Sequence, residues 1–215
     1  MIYHNVSEEQ VIRMVTEAVK KVLDKEDTIP TGISVRHVHL ERRHVEALFG
    51  PAYWLTVKKE LSQPGQFAAE ETVDLTGPKG TIKRVRVLGP ERSASQVEVA
   101  FSDARILGIN PPLRASGDVY GTPGIRLTGP YGSVDLEEGV IIADRHIHMS
   151  PEDAEHFGVS DGEKVSVKID GIKSGILEGV TIRVSDKYKL DFHIDTDDGN
   201  AFMMSQGQKV RILKE

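Results

Sequence analysis

Four of the chain's eight histidines fall in two copies of one pattern, Arg-His-x-His. One copy is ISVRHVHLERRHVEALFG, residues 33–50. The other is IIADRHIHMSPEDAEHFG, residues 141–158. In a strand, residues i and i+2 point to the same face. His37 with His39, and His146 with His148, then each present two imidazoles on one side, enough to chelate a transition metal. A single His-x-His is more often a pair of ordinary surface or core histidines. Two copies in matching surroundings point instead to two metal clamps, because chance does not reproduce the context.

Two imidazoles do not complete a site, so third ligands are expected on the polar faces of other strands. In SQVEVAF, residues 95–101, Val97, Val99 and Phe101 share one face and Glu98 lies on the other, flanked by Gln96. In KLDFHIDTD, residues 189–197, Leu190, Phe192 and Ile194 share a face, and His193 lies opposite between Asp191 and Asp195. Either aspartate would suit as a hydrogen-bond partner that orients the ring. Taken alone, Glu98 also reads as a solvated strand acid, and His193 as a hydrogen-bonded surface histidine. His4, His44 and His156 have no comparable context.

Cations crowd the same elements. Arg36 and Arg145 precede the histidine pairs and, by strand parity, face away from them. Arg92 lies six residues ahead of Glu98, and Lys79, Lys83, Arg84 and Arg86 fall just before it. In a chain of net charge −6, basic residues beside a metal site point to an anionic substrate. The arginine fork matches phosphate oxygens. For Lys83 and Arg84 the preferred reading is a protected strand edge.

The elements that must position these groups are mostly strands. TIKRVRVLGP, ASQVEVAFSD, EKVSVKID and VTIRVS are short β-branched segments punctuated by Gly, Pro and Asp. A clear helix follows the second histidine pair, with Ser150 as N-cap, Pro151 at the first position and Gly158 as C-cap. A weaker one is expected over residues 41–48. LTGPKGTIK (75–83) and LTGPYGSVD (127–135) repeat as well, at a shorter spacing than the histidine pairs. The expected fold is mainly β with a few helices: two similar β-barrels capped by short helices, residues 30–115 and 116–215, with elements exchanged between them. Ahead of them, residues 7–25 read as an amphipathic helix with a Ser7–Gln10 capping box. Residues 26–32 have the composition of a linker, and the domain boundary is set inside it, with residues 1–29 as helix and linker.

Composition narrows the function. Hydrophobic content of 39% and charged content of 28% describe an ordinary globular chain. The acidic balance offers no attraction for nucleic acid or an anionic membrane. No apolar run approaches the roughly 20 residues of a membrane span. The chain has no cysteine, which removes thiolate ligands and a thiol nucleophile and fits a reducing, cytoplasmic compartment. A homodimer is the expected assembly.

Seven ordered segments, RHVHL, LSQPGQFAAEETV, GPKG, LGPERSASQVE, SGDVYGTPGIRL, ADRHIHMSP and FHIDTDDGNA, resemble the PduL-type phosphotransacylases, the phosphate propanoyltransferases of bacterial microcompartments such as those of propanediol degradation. The resemblance runs from about residue 8 through nearly the whole chain. It implies two barrels with a dinuclear metal site, usually zinc, between them. It also implies reversible conversion of acyl-CoA and phosphate to acyl phosphate and CoA, with a propanoyl or acetyl group. Carried over motif by motif, one metal belongs to His37, His39 and Glu98, and the other to His146, His148 and His193. Arg92 matches the phosphate-binding arginine. Ser34 with its neighbours Ile33 and Val35, and Lys79, Arg86 and Asn200, match positions that contact CoA. The tail NAFMMSQGQKVRILKE departs from the family pattern, which leaves the last dozen residues unassigned. In this family a short amphipathic N-terminal helix like residues 7–25 often targets the enzyme into a microcompartment, with shell proteins as the partners it would meet.

The mechanism expected from these residues is direct attack of metal-bound phosphate on the thioester, with the metals and Arg92 neutralising two mutually repelling anions. Two rivals stand beside it. A dinuclear metallohydrolase of thioesters or phosphoesters would use the same ligands. A non-catalytic metal-buffering or scaffold module would need neither the basic residues nor Arg92.

Overall fold

The computed structural model describes residue 7 and residues 11–16 and 27–213. Residues 11–16 are helical (α1); the rest of the helix expected over 7–25 lies outside the described residues. The chain then runs β1 (Ile29–Ser34), β2 (His37–His39), α2 (Arg42–Phe49), β3 (Val57–Glu60), β4 (Phe67–Thr76), β5 (Thr81–Gly89), β6 (Gln96–Glu98) and α3 (Phe101–Leu107). It continues β7 (Leu113–Arg114), β8 (Ile125–Thr128), β9 (Ser133–Leu136), β10 (Val140–Ala143), β11 (His146–Met149) and α4 (Pro151–Phe157). It closes with β12 (Lys164–Ile169), β13 (Gly175–Val184), β14 (Asp191–Asp195), α5 (Thr196–Ala201) and β15 (Lys209–Leu213). The mainly-β expectation holds, as barrel and half-barrel sheets.

Six strands close a barrel in the order β1-β14-β11-β13-β12-β15, and the other nine form a second sheet, β7-β10-β6-β2-β5-β4-β8-β9 with β3 on β4. Each sheet has its own apolar core, one around Val38, Leu75, Val97 and Leu127, the other around Ile147, Val167, Ile182 and Phe192. Strict alternation makes these cores. Val38 and Ile147, each between two histidines, are fully buried on the face opposite the imidazoles.

The strands are exchanged across residue 115. β1 lies in the barrel, parallel to β14, before the chain crosses to β2 in the other sheet. β10 lies beside β6 in the nine-stranded sheet, again parallel, before the chain crosses to β11 in the barrel. The segment read as a linker is therefore corrected at its end. Ile29–Ser34 is a strand, because Ile29 and Thr31 alternate into the barrel interior. Pro30 is tolerated near the strand's start, where β1 pairs with β15.

The LTGPxG repeat also has a physical cause. In each copy the turn packs against the last residues of a helix. Lys79 N–H donates to the Leu107 carbonyl of α3, and Tyr131 N–H to the Leu48 carbonyl of α2, both at 3.0 Å. These bonds satisfy carbonyls that a helix end leaves open. Glycine is required at the closest approach: a Cβ on Gly77 would stand 2.3 Å from the Leu107 oxygen, and one on Gly129 2.4 Å from the Leu48 oxygen.

Candidate active site

The two histidine strands are neighbours of equivalent strands. β2 lies between β5, parallel, and β6, antiparallel. β11 lies between β13, parallel, and β14, antiparallel. The antiparallel register sets His37 opposite Glu98 and His146 opposite His193. Each His-x-His pair thereby gains its third group. In both clusters, His37–His39–Glu98 and His146–His148–His193, the donor atoms all lie within 4.8 Å of one another.

Hydrogen bonds select which nitrogen each ring presents. His37 Nδ1 donates to the Val35 carbonyl at 2.9 Å, and His146 Nδ1 to the Asp144 carbonyl at 2.8 Å. Each ring is left with Nε2 for the site. His193 does the reverse: its Nε2 donates to Asp191 at 3.1 Å, which frees Nδ1. Of the two aspartates considered from sequence, Asp191 is the one that orients this ring. Asp195 instead caps α5, accepting from the Asp198 N–H.

The electrostatics favour neutral His146 and His148 in the second cluster. Burial, with His193 adding, pushes His146 down to about 4. Burial, with His146 and His193 adding, pushes His148 down to about 2. In the first cluster, burial, with His37 and Arg92 adding, holds His39 well below its ordinary value. Burial also pulls on His37, but the charge and hydrogen bond of Glu98 leave it raised. Glu98 stays well below the usual carboxylate range despite burial, because His37 and His39 face it and Ser116 donates to it. The Nδ1 atoms of His39 and His148 are buried with no hydrogen-bond partner. Imidazoles held neutral by burial, and a buried His–Glu pair that draws in a proton, fit divalent cation sites.

Both clusters open into one cavity of about 860 Å³. Among the residues expected from sequence, Ile33, Ser34, Val35, Arg86 and Arg92 line it with both histidine sets and Glu98. Lys79 and Asn200 do not. Lys79 sits on the turn under α3, against Gly108, and Asn200 is exposed on α5. Lys59, on β3, lines the cavity and was not expected. Arg36 and Arg145 reach the two helices that follow the third-ligand strands. Arg36 pairs with Asp103 at 2.8 Å, and Arg145 lies 3.7 Å from Asp198.

Three further residues enter the site without a sequence signal of their own. Ser116 donates to Glu98 at 2.9 Å and accepts from Arg92 at 3.1 Å, so one hydroxyl links the expected phosphate arginine to a candidate metal ligand. The Tyr188 ring lies 4.2 Å from the His148 ring. Arg183 stands opposite His148 on β13. From sequence, VTIRVS reads only as a strand, with no role for Arg183.

Barrel strands, one shared cavity and paired clusters that could hold cations define a class of β-barrel protein with a cavity rich in basic residues. The comparisons narrow it. A family model described as Phosphate propanoyltransferase matches residues 30–205. The Phosphate propanoyltransferase of Thermotoga maritima is 52% identical, covering 91% of this chain and 94% of that protein. Those of Salmonella typhimurium and Alkaliphilus metalliredigens are 53% and 46% identical, over 87% and 96% of this chain and 90% and 99% of their own. The chain belongs to the phosphate propanoyltransferase family.

Proposed function

We propose that the chain is a phosphate acyltransferase that interconverts a short-chain acyl-CoA (propanoyl- or acetyl-CoA) and phosphate with acyl phosphate and CoA. One observation carries the reading within this family: both candidate metal clusters share a single cavity with Arg92. His37, His39 and Glu98 would hold one divalent cation, and His146, His148 and His193 another, sets that suit zinc. When bound, such ions supply positive charge that offsets the repulsion between phosphate and CoA and polarises oxygen.

The chain's own residues do the rest. Arg92 offers its fork to phosphate from a half-buried position, where a charge-assisted hydrogen bond is stronger than in water. Ser116 fixes that guanidinium relative to Glu98. A phosphate oxygen then attacks the thioester carbonyl carbon. The new C–O bond forms, the C–S bond breaks, and the proton of hydrogenphosphate ends on the departing sulfur. With no cysteine in the chain, a thiol acyl-enzyme is excluded; direct transfer is the proposed route, and a serine or carboxylate acyl-enzyme is its alternative.

The test is CoA release from propanoyl-CoA and acetyl-CoA with and without phosphate, with the protein's intact mass followed in parallel. Release that depends strictly on phosphate, with no acylated protein, is expected. Release without phosphate would make the protein a thioester hydrolase, and a trapped acyl-protein would replace direct attack by a two-step route.

No helix among the described residues is long and apolar enough to cross a membrane. On α1, Val11, Ile12, Met14 and Val15 are all exposed. This supports a role for residues 7–25 as a segment that docks on microcompartment shell proteins. Residues 1–25 fused to a fluorescent reporter are expected to form puncta in cells that make such shells; diffuse fluorescence would refute it.

A further inference from the structure

Arg92 has a counterpart on the opposite wall of the cavity. Arg183 projects from β13 of the barrel, in register with His148. It lines the same cavity as Arg92. Its guanidinium carbon stands 5.8 Å from the centre of the Tyr188 ring, and its Nη2 donates to the Tyr188 hydroxyl at 3.4 Å. Tyr188 in turn lies against His148. Arg183 is thus steered toward the second histidine cluster by an aromatic side chain that touches it.

The loop that carries Tyr188 is held in place from both sheets. Tyr188 N–H donates to the Ser185 carbonyl at 3.0 Å, and Ser185 N–H to the Met149 carbonyl at the end of β11. Next to Tyr188, both backbone groups of Lys189 are taken by the amide of Gln63, at 2.9 and 3.2 Å. Gln63 is buried and belongs to the other half of the molecule. Such a mount limits the motion of Tyr188 and of the guanidinium it contacts.

What Arg183 lacks is an anion. Among the described residues, neither Arg183 nor Arg92 has a carboxylate at ion-pair distance, whereas Arg36, Arg42, Arg114 and Arg211 each have one. The two unmatched guanidiniums also sense each other. Burial lowers the Arg92 pKa, and Arg183 adds to that against the pull of Glu98. Two half-buried like charges facing one cleft are unfavourable unless a multivalent anion lies between them.

We infer that Arg183 is a second phosphate-binding residue, gripping the attacking phosphate from the barrel side while Arg92 grips it from the other sheet. Tyr188 is its positioning residue. The inference rests on the acyl-transfer reading above and adds to it. A phosphate held by two forks from opposite walls has its rotation fixed, so one oxygen is left facing the thioester. After transfer, the same two arginines hold the phosphoryl oxygens of acyl phosphate.

The experiment is steady-state kinetics with propanoyl-CoA and phosphate varied separately, on Arg183→Ala, Arg183→Lys and Tyr188→Phe, each assayed for metal content. Arg183→Ala is expected to raise the phosphate KM by about 10-fold or more, leave the propanoyl-CoA KM within about twofold, and keep its metals. Arg183→Lys retains charge without the fork and is expected to fall between the two. It decides the question if the alanine variant does not fold. Tyr188→Phe keeps the ring and removes the hydroxyl, with a rise of about 2–3-fold in phosphate KM expected. Added guanidinium should restore part of the Arg183→Ala rate.

An unchanged phosphate KM in both Arg183 variants overturns the inference. So does a rise in the propanoyl-CoA KM alone, which would assign Arg183 to the phosphates of CoA. In either case phosphate-dependent turnover by the parent protein leaves the transfer reading standing. Phosphate-independent CoA release by the parent would sink the reading and the inference together.

Discussion

His146→Ala is expected to bind one metal ion per chain fewer than the parent and to lose activity by about a thousandfold or more. The size of the effect follows from the position. His146 stands opposite His193 in the β11–β14 register, with its Nδ1 committed to the Asp144 carbonyl and its other nitrogen turned to the cluster. Removing it leaves His148 and His193, two groups where three are needed to hold a metal firmly. No side chain can replace it cheaply, because β11 is buried along its whole length. Metal content by elemental analysis, beside turnover, checks the prediction. Retention of two metals per chain would contradict the ligand assignment. His37→Ala is not an equivalent experiment, since it also frees Glu98 from the contact at 3.4 Å that holds its carboxyl down.

Arg92→Ala is expected to lower kcat/KM for phosphate by about 10- to 100-fold, the equivalent of about 1.5–3 kcal/mol for one charge-assisted hydrogen-bonding group. The loss should appear in both the phosphate KM and kcat, because the arginine neutralises charge on binding and while the new bond forms. The propanoyl-CoA KM should change little. The substitution removes one hydrogen bond to Ser116, but Ser116 still donates to Glu98 and still accepts from Gln96. The first cluster therefore keeps its order, and metal content should be unaltered. Normal turnover with a normal phosphate KM would remove Arg92 from the site.

Together these variants separate two kinds of dependence. One loses a metal and nearly all rate. The other keeps its metals and loses the grip on one substrate. A thioester hydrolase built on the same clusters would share the first result but not the second, since water needs no arginine fork.

Much of the site was legible in the sequence because strand geometry is local. A two-residue repeat fixes which side chains share a face, so His37 with His39 and His146 with His148 were bound to point together whatever the sheet order. The same alternation sent Val97 and Phe192 to the cores and left Glu98 and His193 opposite. The Ser150–Pro151 start and the Gly158 stop of α4 are likewise local signals, and Asp153 completes the cap. The sequence resemblance supplied the family and the pairing of the two clusters, which spacing alone left open.

What local pattern does not contain is which strands become neighbours. Only the tertiary structure decided that β1 joins β14 and β10 joins β6, so that a segment with linker composition became a barrel strand. Only it brought Ser116 between Arg92 and Glu98, and set Arg183 and Tyr188 against His148. It also moved Lys79 out of the site, because the GPKG turn closes the end of α3 rather than the cavity. By itself the sequence determined the faces, the caps and the duplicated histidine clamps, since these depend on bonds a few residues apart. The register that joins the clamps into one site, and the arginine on its far wall, depend on contacts between strands distant in the chain, and those follow from how the two cores pack.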